Sequence, residues 1–244
     1  MAGGSILSVR GVSKRFGGLL AVGAMSFEVA EHQVMGLIGP NGSGKTTMMN
    51  LISGALRPNE GHINLQGARI SGLSAQEINR RGVARTFQLV RLLPSLSVLE
   101  NVTAGAVFGH AKRWGREAED YAHRMLDRVG LEAKALAPVS TLTYIDQKRL
   151  ELARVLASDP KILLLDEWLA GLNPSELQAG VELVRDLRAE GRTIILVEHV
   201  MDAIRSLCDS CVVMNSGVKI AEGAPDDVLA DPEVVRAYLG DDGA

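Results

Sequence analysis

One eight-residue stretch, GPNGSGKT at positions 39–46, constrains this chain more than any other feature. It matches the spacing G-x-x-x-x-G-K-[ST], in which glycines let the backbone curl so that its N–H groups surround a phosphate at a helix N-terminus. Apolar residues precede the stretch at 34–38, and residues of helical character follow it at 47–52. A glycine-rich turn that matched by chance would lack this context, so the stretch predicts a phosphate-binding loop in an α/β fold.

The side chains of the loop suit a nucleoside triphosphate with Mg²⁺. Lys45 is expected to reach the β- and γ-phosphates, and the Thr46 hydroxyl is expected to bind the Mg²⁺ that bridges them. The other candidate nucleotide-binding residues of the loop are Asn41, Gly42, Ser43, Gly44 and Thr47.

Composition narrows the class of protein. The chain has 244 residues, of which 46% are hydrophobic, enough for one α/β domain or for a core with a smaller lobe. Its formal net charge of −3 gives no reason to expect nucleic acid as a partner. No apolar run approaches the roughly 20 residues that span a bilayer, and the first residues lack the pattern of a signal peptide. We therefore expect a cytoplasmic protein.

Apolar patterns predict strands in both halves of the chain. Alternating residues predict strands over 6–10 and 25–29. Continuous apolar runs, which are typical of parallel strands buried on both faces, occupy 34–38, 162–165 and 193–197.

Helical patterns lie between these strands and after them. The segments 94–107 and 115–129 predict a helical insertion, and 174–189 predicts a helix that begins at Pro174. Two short helices are expected after Ala224 and Asp231.

Polar residues with catalytic potential follow two of the buried runs. Asp166 and Glu167 end the run that begins at 162, and His199 comes shortly after the run at 193–197. Because ligands gather at the carboxyl edge of open α/β sheets, we expect Asp166 to hold Mg²⁺ indirectly or through water, and Glu167 to orient or deprotonate the attacking water. His199 would donate a hydrogen bond near the γ-phosphate. An acidic turn and a packing histidine are the alternatives.

The two cysteines, Cys208 and Cys211, form a single C-x-x-C. A structural zinc site needs about four ligands and a second pair is missing, and a redox motif needs a thioredoxin-like frame. We expect both to pack as small apolar groups.

The order of the loop, the two carboxylates and the histidine resembles the ATP-binding subunit of an ABC transporter over essentially the whole chain. Phe16, in KRFG, matches the aromatic residue that stacks on adenine, and Val22 in the same stretch is a further candidate contact. Gln88, in RTFQ, matches the glutamine that contacts Mg²⁺ or water in this family and relays the nucleotide state.

The resemblance implies a P-loop, RecA-like α/β core with an N-terminal antiparallel β subdomain and an α-helical signature subdomain. Residues 1–244 would form one nucleotide-binding domain. Its core would comprise 1–89 and 156–224, its helical subdomain 90–155, and its helical tail 225–244. ATP and Mg²⁺ would be the cofactors.

Four stretches look like the branched-chain amino acid importer ATPases, and specifically the larger of that system's two ATPase subunits. They are RFGGLLAV at 15–22, AGLNP at 170–174, VEH at 197–199 and AYLG at 237–240. The same subfamily includes importers of urea, amides and other small solutes, so the cargo stays open. A lipopolysaccharide-type exporter ATPase is the closest rival.

The resemblance also implies partners and a location. A second ABC ATPase subunit is expected, in a heterodimer or else a homodimer, together with transmembrane permeases and, indirectly, an extracytoplasmic solute-binding protein. The chain would lie on the inner face of the cell membrane through the permeases.

Two residues depart from the family pattern. The signature loop, usually LSGGxQ or LSYGxQ, aligns with 142–147, where Thr143 keeps the hydroxyl and Gln147 the glutamine, but Ile145 replaces a glycine. In the family this loop binds the γ-phosphate held by the opposite subunit, so a distorted backbone at Ile145 would weaken that contact. Trp168 replaces a proline after Glu167, and we expect it near the dimer seam with Glu167 less firmly aimed.

These departures leave two hypotheses open, an active ATPase and a nucleotide-binding subunit that hydrolyses ATP weakly. We favour hydrolysis because the chain keeps every other residue that the reaction needs, namely Lys45, Thr46, Gln88, Asp166, Glu167 and His199.

Overall fold

The structure is a computed structural model that describes residues 4–239, so Gly240 of the AYLG stretch and the rest of the predicted tail to 244 lie outside the described residues. The strands in chain order are β1 (Ser5–Phe16), β2 (Leu19–Ala30), β3 (Val34–Ile38), β4 (Glu60–Leu65), β5 (Ala68–Arg69), β6 (Val83–Arg85), β7 (Ile162–Asp166), β8 (Thr193–Val197), β9 (Ser210–Asn215) and β10 (Val218–Gly223).

The helices in chain order are α1 (Lys45–Ile52), α2 (Ala75–Arg80), α3 (Val98–Phe108), α4 (Gly115–Arg128), α5 (Tyr144–Ala157), α6 (Pro174–Ala189), α7 (Met201–Leu207), α8 (Pro225–Ala230) and α9 (Pro232–Leu239). Helix α3 begins at Val98 rather than at the predicted residue 94, because Ser97 and Glu100 form a reciprocal capping box that fixes its start. Between residues 4 and 239, no helix is long and apolar enough to cross a membrane.

An antiparallel sheet of four strands, in the order β2-β1-β4-β5, covers one side of the core. Strands β1 and β2 are longer than the predicted 6–10 and 25–29, since they continue to a tight turn at Gly17 and Gly18. Gly17 has a φ of +57°, which a glycine adopts without strain.

The second sheet has six strands in the order β10-β9-β3-β8-β7-β6, and all its neighbours are parallel except β10 and β9. Every residue of β3, β7 and β8 is buried, which explains their continuous apolar sequences. These three strands confirm the predicted runs. Their carboxyl ends meet at one edge, where the loop at 39–46, Glu167 and His199 follow directly.

Buried side chains form three clusters. One lies between the antiparallel sheet, α1 and one face of the parallel sheet, and a second lies between the other face of that sheet and α6 to α9. The third joins α3, α4 and the inner side of α5. It lies within the predicted helical insertion, whose boundaries at 90 and 155 remain a prediction.

The start of α6 offers a test of local stability. The Asn173 side chain accepts the Glu176 N–H and Glu176 returns a bond to the Asn173 N–H, which satisfies two N–H groups of the first turn. We predict that Asn173→Ala lowers the free energy of unfolding by about 1 kcal/mol. Urea titration measures the change, and Asn173→Asp should stay near wild type. An Asn173→Ala protein as stable as wild type would contradict the capping role.

Candidate nucleotide-binding and catalytic site

The backbone of the 39–46 loop requires its glycines. Gly39, Gly42 and Gly44 have φ values of +145°, +78° and +104°. A Cβ on Gly39 would lie 2.0 Å from the Met214 carbonyl oxygen, and one on Gly44 would lie 2.5 Å from that of Ala21. Gly44 is also the N-cap of α1, which has no side-chain cap and no acidic residue in its first turn. The first N–H groups of α1 are therefore free of a competing side chain and suit an anion.

A cavity of about 650 Å³ opens above this loop. It brings together most of the predicted nucleotide-binding residues, namely Phe16, Asn41, Gly42, Ser43, Gly44, Lys45, Thr46, Thr47, Gln88 and Glu167. Sequence reasoning missed Leu20, Ala21, Ser216 and Gly217, which also line it. The structure does not support a side-chain contact from Val22, which is fully buried in the core and does not line the cavity.

Two polar groups of the loop suit phosphate binding. Lys45 Nζ donates to the carbonyl oxygens of Gly39 at 2.8 Å and Pro40 at 2.9 Å. Burial lowers the pKa of Lys45, and the nearby charges of Glu167 and Asp166 oppose that shift. The Ser43 hydroxyl is buried and has no hydrogen-bond partner within residues 4–239. A buried hydroxyl without a partner costs free energy, so a ligand atom in the cavity would satisfy it.

Glu167 is held at both oxygens of its carboxylate. Gln88 Nε2 donates to Oε2 at 2.7 Å, and His199 Nε2 lies 3.0 Å from Oε1. Because a carboxylate only accepts hydrogen bonds, His199 carries a proton on Nε2 here. The Glu167 backbone has a φ of +51°, an uncommon conformation that its neighbours must maintain. The expected loosening of Glu167 is therefore not observed.

A buried ion pair fixes Asp166. Arg85 Nη2 lies 2.5 Å from Asp166 Oδ2, and the two side chains are 5% and 2% exposed. Arg85 Nη1 also donates to Asn50 Oδ1 on α1 at 2.6 Å. Sequence reasoning did not give Arg85 a role. The available signal was a charged residue at the end of the short strand β6, since a buried arginine requires an acidic partner.

The predicted metal ligands have suitable chemistry. Thr46, Gln88 and Asp166 offer hydroxyl, amide and carboxylate oxygens, which are the hard donors that Mg²⁺ prefers. Thr46 and Gln88 line the cavity, while Asp166 lies beneath it in the ion pair.

The signature segment begins helix α5. Thr143 is its N-cap and accepts the Asp146 N–H at 3.3 Å, and Gln147 Nε2 donates to the Leu142 carbonyl at 3.2 Å. Ile145 lies in the first turn of the helix and is not among the residues with positive φ. The expected weakening of the contact with an opposite subunit's γ-phosphate stays a prediction. Thr143 and Gln147 do not line the cavity of their own chain, and their action on an opposite subunit stays a prediction.

Trp168 does not lie at the surface. It is 3% exposed and packs against α6 in the interior. The expectation that it lies near the dimer seam stays a prediction. Cys208 and Cys211 are free thiols buried in the same cluster, which confirms that they pack as small apolar groups.

Comparison with known proteins agrees with this geometry. A family model described as "ABC transporter" matches residues 22–170, and one described as "Branched-chain amino acid ATP-binding cassette transporter" matches residues 218–244. The high-affinity branched-chain amino acid transport ATP-binding protein LivG of Salmonella typhimurium is 42% identical over 97% of this chain and 98% of its own length.

Two solved structures share the fold. A nucleotide-free ATP-binding cassette from an ABC transporter superposes with a TM-score of 0.88 and 31% identity, covering 97% of this chain and 100% of that one. An ATP-binding cassette of an ABC transporter in its ADP conformation has a TM-score of 0.87 and 30% identity, and the match covers 97% of this chain and 99% of that one. The predicted fold class is confirmed.

The Arg85–Asp166 ion pair generates a second prediction. Arg85→Met leaves a buried carboxylate without its partner, so we expect the free energy of unfolding to fall by about 3 kcal/mol. Arg85→Met combined with Asp166→Asn removes both charges and should recover part of that loss. The exposed Arg80→Met is the control and should change stability by less than about 0.5 kcal/mol. Denaturant unfolding measures all three, and equal effects at Arg85 and Arg80 would contradict the ion pair's role.

Proposed function

Because the chain belongs to the ABC transporter family of ATP-binding proteins, we propose that it is the ATP-hydrolysing subunit of an importer for branched-chain amino acids or a related small organic solute. The observation that carries this proposal is the position of Glu167, held between Gln88 and His199 beside the phosphate-binding loop. The chain binds ATP, as its family does, and it is an ATPase.

The cavity accounts for nucleotide binding. Phe16 is 47% exposed at its rim and offers a face on which adenine stacks. The N–H groups that begin α1 and the Ser43 hydroxyl donate hydrogen bonds to phosphate oxygens. Lys45 exchanges its bonds to two loop carbonyls for the more negative β- and γ-phosphates, a stronger charge-assisted interaction.

The residues around Glu167 account for hydrolysis. Glu167 accepts a proton from the water that attacks the γ-phosphate, and Gln88 and His199 orient its two oxygens for that step. Bound Mg²⁺ would neutralise charge on the transferred phosphoryl group, held by Thr46, Gln88 and Asp166. The Arg85 ion pair keeps the Asp166 carboxylate oriented beneath the cavity.

A second ABC ATPase subunit completes each site in this proposal. The exposed Thr143 hydroxyl and Gln147 would contact the γ-phosphate held by the opposite subunit, and Ile145 would replace a glycine there. In a heterodimer this departure affects one of the two composite sites, whereas in a homodimer it affects both. A heterodimer therefore preserves one site with a regular signature loop in the partner.

Transmembrane permeases are the second class of partner. Exposed apolar side chains lie close in sequence to Gln88 and on α3, with Leu89, Leu93 and Phe108 exposed by 80%, 41% and 64%. Short apolar helices of the permeases fit such a surface, and contact there would hold the chain at the inner face of the membrane. The solute-binding protein acts through the permeases.

The two alternatives receive less support. The named relative serves branched-chain amino acid transport, which favours an importer over a lipopolysaccharide-type exporter. Weak hydrolysis would follow from a poorly aimed Glu167 or a strained Ile145, and the geometry offers support for neither.

Steady-state phosphate release tests the proposal. We predict that Glu167→Gln lowers kcat at least about 100-fold, since it removes the general base, and changes the Kd for Mg²⁺-ATP by less than about threefold. The exposed Glu60→Gln is the matched control and should keep wild-type kcat. The active-enzyme proposal would be overturned if the wild type, alone and with its partner ATPase, released phosphate no faster than Glu167→Gln.

A further inference from the structure

A lysine of the signature helix is buried and forms no ion pair with any residue from 4 to 239. Lys148, on α5, is 2% exposed, yet its Nζ donates to three backbone carbonyls rather than to a carboxylate. The acceptors are Glu167 at 3.4 Å, Trp168 at 3.0 Å and Ala170 at 2.5 Å. An ammonium group has three N–H donors, so this set satisfies all of them. Removing that charge from water is costly, which makes the arrangement a specific one.

The three acceptors belong to one turn, residues 167–170, which begins at the proposed general base. The Ala170 N–H closes the turn on the Glu167 carbonyl at 3.2 Å, and the Glu167 N–H bonds to the Val197 carbonyl at 2.9 Å. The carbonyl side of the turn thus faces Lys148, and the residue that carries the catalytic carboxylate is also tied to the end of β8.

A buried glutamate holds the opposite side of this turn. Glu198 is 1% exposed and its Oε1 accepts the Leu169 N–H at 2.6 Å. Its Oε2 has no hydrogen-bond partner among the described residues. Glu198 immediately precedes His199. One short segment therefore orients the Glu167 side chain through His199 and binds the 167–170 turn through Glu198.

Trp168 adds a third connection to the signature helix. Its indole Nε1 donates to the Lys148 carbonyl at 3.3 Å. The ring requires Gly180 on α6, since a Cβ there would lie 3.0 Å from Trp168 Cζ3 and 2.6 Å from Leu169 Cδ2. Trp168 and Ile145 line one cavity of about 300 Å³ between α5 and α6. The two departures from the family pattern are therefore neighbours.

From these contacts we propose that Lys148 and Glu198 are positioning residues, which clamp the 167–170 turn so that displacement of helix α5 is transmitted to Glu167 and His199. Neither residue lines the nucleotide cavity, so neither is a catalytic residue. The inference rests on the proposed function, because it assigns to α5 a movement that nucleotide binding drives.

The charges around the clamp make it sensitive to pH. Burial raises the pKa of Glu198 to about 7, the charge of Glu167 adds to this shift, and the Leu169 N–H and the Lys148 ammonium oppose it. Burial lowers the pKa of Lys148, and the charges of Glu198, Glu151 and Glu167 oppose that shift. The ionisable groups that face Glu198 are thus Lys148 on α5 and Glu167 after β7, with His199 next in the chain.

Variants of Lys148 give the first arm of the test. We predict that Lys148→Met lowers kcat about tenfold or more while the Kd for Mg²⁺-ATP stays within about threefold, since only the aim of Glu167 is disturbed. Lys148→Arg keeps the charge and donors and should restore kcat to within about threefold of wild type. The exposed Lys112→Met is the control and should leave both values unchanged.

Variants of Glu198 give the second arm. Ionised Glu198 accepts the Leu169 N–H more strongly and attracts the nearby Lys148 charge, so wild-type kcat should rise as pH increases through about 7. Glu198→Gln should lack that step and resemble the low-pH limb of the wild type. In the folded protein the raised pKa retains a proton between pH 4.5 and about 7, so wild-type stability should fall with rising pH there. Glu198→Gln should remove this fall, and Glu60→Gln should not.

Fluorescence gives a third arm that needs no hydrolysis. The chain has two tryptophans, so Trp114→Phe leaves Trp168 as the reporter of the clamp. In a Trp114→Phe, Glu167→Gln protein, Mg²⁺-ATP should shift the Trp168 emission, and adding Lys148→Met should abolish that shift while ATP still binds.

The arms separate failure of the clamp from failure of the proposed function. The clamp would be overturned if Lys148→Met kept the kcat and the nucleotide-dependent emission of Lys112→Met. It would also be overturned if kcat of Glu198→Gln still rose with pH through about 7. Absence of Glu167-dependent phosphate release in the wild type would overturn the proposed function instead. The Trp168 emission would then decide the clamp alone.

Discussion

Three neighbouring strands, β3, β8 and β7, end at the same edge of one sheet, and the proposed chemistry depends on that alignment. Their residues are fully buried, so a slip in register would expose apolar side chains and is strongly disfavoured. The burial of the strands thus fixes the relative positions of the phosphate-binding loop, Glu167 and His199. Precision at the site comes from the core beneath it, because Glu167 follows β7 directly and His199 lies two residues after the end of β8.

Three buried cations support this edge, each in a different way. Lys45 binds carbonyls of its own loop, which a phosphate can replace. Arg85 forms a lasting ion pair with Asp166, since both groups lie beneath the cavity. Lys148 binds the carbonyls of the 167–170 turn and joins it to another helix. The bonding partner of each cation therefore matches its proposed role. A phosphate can replace the loop carbonyls at Lys45, whereas the buried carboxylate keeps Arg85 in place. The turn bound to Lys148 moves together with helix α5.

The sequence predicted the parts of this arrangement that local patterns encode. The loop at 39–46, the strands β3 and β8 and the helix α6 each depend on residues adjacent in the chain. Arg85 and Lys148 were not foreseen, because their partners lie 81 and about 20 residues away and nothing local identifies them. Val22 was misassigned because it follows the cavity-lining residues Leu20 and Ala21 directly in the chain, and nothing local shows that its own side chain packs in the core.

The departures at Ile145 and Trp168 acquire a different meaning from their place in the structure. The family pattern predicts a weaker γ-phosphate contact from Ile145 and a less firmly aimed Glu167 from Trp168. Both side chains line the space between α5 and α6. The backbone at Ile145 is helical, and Trp168 gains a hydrogen bond to α5 that a proline could not donate. We therefore expect part of their effect to fall on the connection between the signature helix and Glu167, beside any effect of Ile145 on the site of an opposite subunit.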